Sequence, residues 1–257
     1  MAKFLHKFNT NTNRLSYEDG NDYIEPYVSK VTEDVSVHYN KSSRYAYVDL
    51  GLPSGTLWAT KNVGAETETD YGLYFAWGEN IGYTADQVTG STQEKAFTWG
   101  DYKWGDGGDK YSSMTKYNVS DGLSTLQSED DAAYVICGNK WIMPTKEQYD
   151  ELFSDDNTTK KWVVDYRGVS GVNGLIFISK FNGKELFFPA TGALGDGILM
   201  NEGAYASYWS STVDAYEPIY LINAYSLYFG EPELQRYVGV DKRYYGLPIR
   251  GVIKVNI

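Results

Sequence analysis

From Tyr45 onward, short apolar runs alternate with turns rich in Gly and Asp, the pattern of short strands rather than of long helices. Tyr45-Ala46-Tyr47-Val48-Asp49-Leu50 reads as a strand and is followed by the turn Pro53-Ser54-Gly55. Tyr71 to Trp77 is a second apolar, aromatic run, closed by Gly78. Gly174 to Ser179 and Glu185 to Pro189 read as two strands joined at the hairpin signal Asn182-Gly183. Nearer the C-terminus, alternation places Leu227 and Phe229 on one side of a strand and Ser226 and Tyr228 on the other, so Tyr228 is expected to point outward. Helical patterning is confined to two places. Ser128 stands three residues before an acid, ahead of Ala132-Ala133-Tyr134-Val135-Ile136, and Gly138 stops the run. Thr145-Lys146-Glu147-Gln148 is a capping box after Pro144, leading into Tyr149, Leu152 and Phe153 at helical spacing. Residues 78–122 are polar, with Trp99, Tyr102, Trp104 and Tyr111 spaced through them; the aromatics predict an ordered loop. Two helices in a mostly β, loop-rich chain make the expected class α+β.

Residues 1–43 are patterned differently. They hold both histidines, His6 and His38, with β-like runs at 27–29 and 35–39, a polar turn at 18–21 and a polar junction at 40–43. A segment of that size builds little core by itself. It is expected to be an attachment or oligomerisation arm preceding a ligand-binding domain over 44–257.

Composition narrows the function classes. A formal net charge of −11 argues against nucleic acid, whose phosphates need clustered Lys and Arg. No window approaches a membrane-spanning length of apolar residues, and Met1 to Arg14 lacks the apolar core of a secretory signal. The single cysteine, Cys137, permits no internal disulfide and is expected to be a small buried hydrophobe. Tyrosine is the outlier, 24 residues against 10 Phe and 7 Trp. Nine of the 24 fall within 205–250: Tyr205, Tyr208, Tyr216, Tyr220, Tyr225, Tyr228, Tyr237, Tyr244 and Tyr245. A phenol gives rigid contact area and a hydroxyl that tolerates wetting, which suits recognition surfaces; strands also favour it for packing.

The segments LPSGTLWATKNVGA (52–65), YGLYFAWGE (71–79), DDAAYVICGNKWIMPTKEQYDELF (130–153), FFPATG (187–192), YWSST (208–212), NAYSLYF (223–229) and RYYGLPIRGV (243–252) resemble a bacterial and phage C-type-lectin-like family, related in fold to formylglycine-generating enzymes. The C-terminal part is more similar still to the variable proteins of diversity-generating retroelements, whose adenine-directed mutagenesis varies surface positions between fixed scaffold residues. The resemblance implies scaffold roles for Trp209, Asn223, Ala224, Leu227, Phe229, Arg243, Gly246 and Arg250, and variable slots at Ser226, Tyr228 and Tyr245. Tyr205, Tyr216, Tyr220, Tyr237 and Asp241 complete the expected ligand-binding set. Tyr, Ser and Asp are each one adenine change from an AAC codon, whereas Glu217, Glu231, Gln235 and Lys242 are not reachable from it. FLHKFNT, IEPYVS and VHYN are loosely similar to the attachment ends of gut-phage tail proteins, which implies a virion-tail location and tail-protein partners for the arm.

The resemblance therefore implies a non-enzymatic adhesin recognising a bacterial surface protein or glycan, with a homotrimer expected from the gain that multivalency brings. A bacterial cell-surface lectin and a formylglycine-generating-type enzyme are the alternatives. The second needs a cysteine pair that this chain lacks, and no His lies within 45–257 to build a nucleophilic triad. Asp101, Asp106 and Asp109 in a Gly-rich loop raise a structural Ca²⁺ as a secondary reading, with a solvated acidic loop as the default. Neither Glu217-Pro218-Ile219 nor Glu231-Pro232-Glu233 reproduces the Glu-Pro-Asn motif of Ca²⁺-dependent sugar sites. The pairs Asp130-Asp131 and Asp155-Asp156 are expected to cap or to be solvated.

Overall fold

The computed structural model describes residues 46–107, 114–215, 221–231 and 237–253, together with the backbone of three short N-terminal strands. Those strands, β1 (Leu5–Asn9), β2 (Arg14–Tyr17) and β3 (Asp22–Tyr23), form an antiparallel sheet in the order β1-β2-β3. The expected strands at 27–29 and 35–39, the turn at 18–21 and the junction at 40–43 lie outside the described residues.

Beyond these strands, the chain is mixed α+β, with short and mostly antiparallel strands and few helices. β4 (Tyr47–Asp49) and β5 (Leu57–Ala59) are followed by helix α1 (Ala85–Thr89), which Thr84 and Gln87 close with a reciprocal capping box. The same Thr-x-x-Gln signal stands at Thr145–Gln148, yet the pattern around 84–89 is too short to read as a helix in the sequence. Helix α2 (Ala132–Cys137) begins at Asp131, not at Ser128. Ser128–Asp130 instead form a separate 3-10 turn, and the Asp131 carboxylate accepts from the Tyr134 and Met143 N–H groups at 3.1 and 2.8 Å. Gly138 ends α2 at φ 93°, a conformation that disfavours any side chain. α3 (Lys146–Phe153) carries the expected Thr145–Gln148 capping box and buries Tyr149 and Leu152.

β6 (Thr158–Val163), β7 (Gly174–Ser179) and β8 (Glu185–Pro189) make an antiparallel meander. β9 (Ala193–Gly195) and β10 (Ile198–Met200) form a small hairpin. A second meander, β11 (Tyr205–Val213), β12 (Asn223–Gly230) and β13 (Tyr237–Lys242), follows. The last strand, β14 (Val252–Ile253), returns to pair with β5, so the two ends of 46–253 are stitched into one sheet. The run 71–77 contributes only isolated bridges, at Tyr74 and Phe75, rather than a strand.

The β11-β12-β13 sheet lies between two apolar clusters. Ala206, Tyr208, Leu227 and Phe229 face Leu50, Trp58, Tyr149, Leu175, Phe177 and Phe188. On the opposite face, Tyr205, Trp209 and Ala224 join Phe75, Trp77, Tyr117, Ile136, Met143 and Leu247. Burial on both faces explains why β11 is covered along almost its whole length. Each fully buried aromatic or aliphatic side chain of this kind contributes about 1.5–3 kcal/mol of transfer free energy.

Residues 78–107 are ordered by a third apolar cluster, in which Val88, Phe97 and Tyr102 are buried with Tyr74, Leu194 and Tyr244 and Trp99 and Trp104 pack against them, and by polar contacts. The Asp101 carboxylate accepts from the Ala96, Phe97 and Thr98 N–H groups at 2.8, 3.1 and 2.8 Å. A buried Lys95 donates to both oxygens of Glu79 at 3.1 and 3.0 Å and to the Asp101 carbonyl at 2.6 Å.

Candidate ligand-binding face

The expected site residues lie on or beside β11, β12 and β13, and strand pairing decides which of them meet. Ser207 lies opposite Tyr228, and Trp209 opposite Ser226, across β11 and β12. Tyr228 is opposite Tyr237, Ser226 opposite Gly239, and Ala224 opposite Asp241 across β12 and β13. Period-two alternation therefore collects Tyr205, Ser207, Ser226, Tyr228, Tyr237, Gly239 and Asp241 on one face. The Trp209 and Ala224 end of that face is buried in the first core cluster, while the Tyr228 and Tyr237 end is open.

At the open end three rings run across the strands. Tyr205 and Tyr228 have centroids 4.7 Å apart, and Tyr228 and Tyr237 stack at 5.2 Å with planes 24° apart. Tyr237 is the most open of them, 44 % exposed; Tyr228 is half-buried and Tyr205 buried. The Tyr237 ring folds back along its own strand over Gly239. A Cβ at that position would meet the ring at 2.4 Å, so glycine is required to seat it.

Beneath the rings runs a chain of hydrogen bonds. Tyr205 Oη donates to Ser207 Oγ at 3.0 Å, and the hydroxyls of Ser207 and Ser226 each donate to Asp241 Oδ2 at 2.7 Å. Burial raises the Asp241 pKa, opposed by the two serine hydroxyls. Burial likewise raises the phenol pKa of Tyr205, with Asp241 adding to it, and that of Tyr228, with Tyr237 and Asp241 adding. Phenols held neutral in this way keep their protons available as hydrogen-bond donors.

Ser226 occupies a different place from the one its variable slot implies. It is 1 % exposed, and its hydroxyl is committed to Asp241, so it forms the floor of the face rather than its rim. Tyr245 stands in a neighbouring aromatic patch. Its ring packs on Gly195, where a Cβ would come within 2.9 Å, and meets Tyr244 edge-on at 4.9 Å. Tyr244 in turn contacts Trp99 at 4.7 Å, and Lys242 Nζ lies 5.7 and 5.9 Å from the centroids of Tyr244 and Tyr245. Tyr216 and Tyr220 lie outside the described residues. Ser207 and Gly239 were not singled out in the sequence, because their roles depend on pairing partners that a single strand does not reveal.

Of the residues to which the resemblance assigns scaffold roles, Leu227 and Phe229 lie behind this face and Trp209 and Ala224 at its buried end. Trp209 is buried, and its indole N–H donates to the Phe75 carbonyl at 2.7 Å. Ala224, Leu227, Phe229, Arg243, Gly246 and Arg250 are buried, and Asn223 is half-buried. Arg243 Nε donates to Tyr102 Oη at 3.0 Å, Nη1 to the Tyr117 and Leu221 carbonyls at 3.1 and 3.0 Å, and Nη2 to the Lys116 carbonyl at 3.0 Å. Its guanidinium also stacks 4.7 Å from the Trp77 centroid. Arg250 Nε donates to Asn62 Oδ1 at 2.9 Å, Nη1 donates to the Ala59 carbonyl at 3.1 Å, and the group lies 4.5 Å from the Phe188 centroid.

Elsewhere, chemistry-bearing side chains have structural roles. Cys137 is buried in the first core cluster. Asp101 caps backbone N–H groups, and Asp109 lies outside the described residues, so the Asp101, Asp106 and Asp109 reading is not assembled here. Among the described residues no three His, Cys, Asp or Glu side chains converge as a metal-binding group, and no helix is long and apolar enough to cross a membrane. Asp131 caps α2, whereas Asp130 is neither a cap nor solvated: it is buried and accepts from Lys103, Lys116 and Tyr117 at 3.1, 2.6 and 2.8 Å. Comparison with protein-family models, with curated proteins and with solved structures gives no match.

Proposed function

We propose that this chain is a receptor-binding adhesin of C-type-lectin-like type. It engages a bacterial surface ligand through the Tyr205, Tyr228, Tyr237 and Asp241 face, with the Tyr244 and Tyr245 patch beside it. One observation carries the reading. Scaffold positions implied by the motif frame are buried, apart from the half-buried Asn223, whereas Tyr228, Tyr237, Asp241 and Tyr245 are half-buried or exposed on the strands and turn that the two cores support. Ser226 is the one slot that departs from this partition.

A rigid sheet carrying aromatic rings on one open end is suited to recognition, because the rings lose little freedom on binding. The same partition favours diversification, since side chains on the open end can change without disturbing either core. Presenting several copies of one face raises avidity beyond that of a single copy. The reading therefore includes a homotrimer and attachment through the N-terminal arm, as on a virion tail. Fluorescently labelled protein applied to a panel of bacterial strains should bind some strains saturably and be displaced by unlabelled protein. Non-saturable binding, indifferent to strain, would count against a receptor.

A further inference from the structure

We infer that the Asp241 face takes a cationic nitrogen group of the ligand, a primary ammonium or a guanidinium, seated between the Asp241 carboxylate and the rings of Tyr228 and Tyr237. The inference rests on the adhesin reading for its location and adds the chemical class of what binds there. Asp241 points its carboxyl group into the cluster, where Oδ2 receives both serine hydroxyls. Among the described residues no Lys, Arg or His forms an ion pair with it. Its chain neighbour Lys242 lies over the Tyr244 and Tyr245 rings.

Among the described residues this recessed carboxylate is compensated by two neutral hydroxyls, a cost to the free protein that an arriving cation relieves. The adjoining phenol faces carry negative quadrupole potential and add attraction for the same charge. Tyr228 and Tyr237 stack on one another rather than forming a closed cage, so the face offered to a cation is the outer side of the exposed Tyr237 ring. The net charge of −11 favours the same sign of ligand at long range.

The cation can come from an amino sugar or from a basic side chain, and paired probes separate these sources. Chitosan tetrasaccharide is compared with its fully N-acetylated counterpart, and Gly-Lys-Gly and Gly-Arg-Gly with Gly-Gln-Gly. Ring resonances of Tyr228 and Tyr237 are followed by NMR on the full chain. At least one cationic probe should saturate at roughly tenfold lower concentration than its neutral counterpart, and Asp241→Asn should abolish the difference. The family of probe that binds tighter identifies the source.

Equal binding of neutral and cationic probes, retention of the difference in Asp241→Asn, or no shift with any probe would overturn the assignment. The wild-type comparison needs no variant, so it stands even if Asp241→Asn folds poorly. Strain-specific cell binding without cation preference would leave the adhesin reading in place and remove this one. Cation preference without cell binding would do the reverse.

Discussion

Asp130 and Asp131 are chain neighbours with opposite electrostatics. Burial alone would raise the Asp130 pKa, but hydrogen bonds from Lys116, Tyr117 and Lys103 outweigh it and hold the carboxyl below the ordinary value. Asp131 receives only backbone N–H donors, from Met143, Tyr134 and Ala133, and burial wins, pushing it up to about 6. The signs follow by linkage. A raised carboxyl favours folding in its protonated form, so the Asp131 contribution is complete below its unfolded value of 3.8 and is lost as pH rises through about 6. The depressed Asp130 contributes above 3.8 and is lost as pH falls below it. Carboxyl-carbon NMR should therefore show one Asp titrating near pH 6 that disappears in Asp131→Asn. A titration in the ordinary Asp range would contradict the buried cap. Asp131→Ala removes the cap and strands the Met143 N–H, at a cost of about 1–3 kcal/mol in urea unfolding.

At the scale of elements, local signals were legible and long-range ones were not. The Thr145–Gln148 box could be read because both partners lie within one helical turn. Thr145→Ala should cost about 1 kcal/mol of stability, measured by thermal or urea unfolding. The sequence signal for the α2 cap falls at Ser128, three residues before the actual cap Asp131, whose carboxylate is fixed partly by Met143 beyond the helix. In YWSST, the β11 register shifts between Trp209 and Val213. The freed backbone grips other elements there: the Ser210 carbonyl accepts from Trp77 Nε1 at 2.8 Å, and Ser211 N–H donates to the Pro144 carbonyl at 2.8 Å. Arg243 acts over a longer distance, fastening the carbonyls of Lys116, Tyr117 and Leu221 to the turn after β13. Arg243→Met leaves those carbonyls without donors and should destabilise by about 3 kcal/mol or more. Proteolysis should then open first within 114–122; uniform loss of protection along the chain would contradict a local tie.

At the scale of the molecule, the class and the buried scaffold were legible, whereas the shape of the site was not. The alternation in β12 correctly set Tyr228 opposite Leu227 and Phe229, but outward from one core is partly inward toward another. That is why Ser226 became floor and only the far end of the face stayed open. Two cores flanking one sheet cannot be read from one strand, because each residue there has an apolar neighbour on either side. The proposed assembly has its own measurement. Light scattering of the full chain should return three times the 29.0 kDa protomer mass, and a monomer across the micromolar range would contradict the multivalent account.

The central claim is that the open end of the β11-β12-β13 face is where the ligand binds. The most direct measurement is the binding isotherm, on a strain that the wild type labels, of the double variant Tyr228→Ala with Tyr237→Ala, beside Phe181→Ser as a change at an exposed apolar residue of a distant turn. The account predicts that the double variant loses roughly 2 kcal/mol or more of affinity, a factor of about thirty, while its melting temperature stays within a few degrees of wild type and Phe181→Ser binds normally. Wild-type affinity in a folded double variant would contradict it.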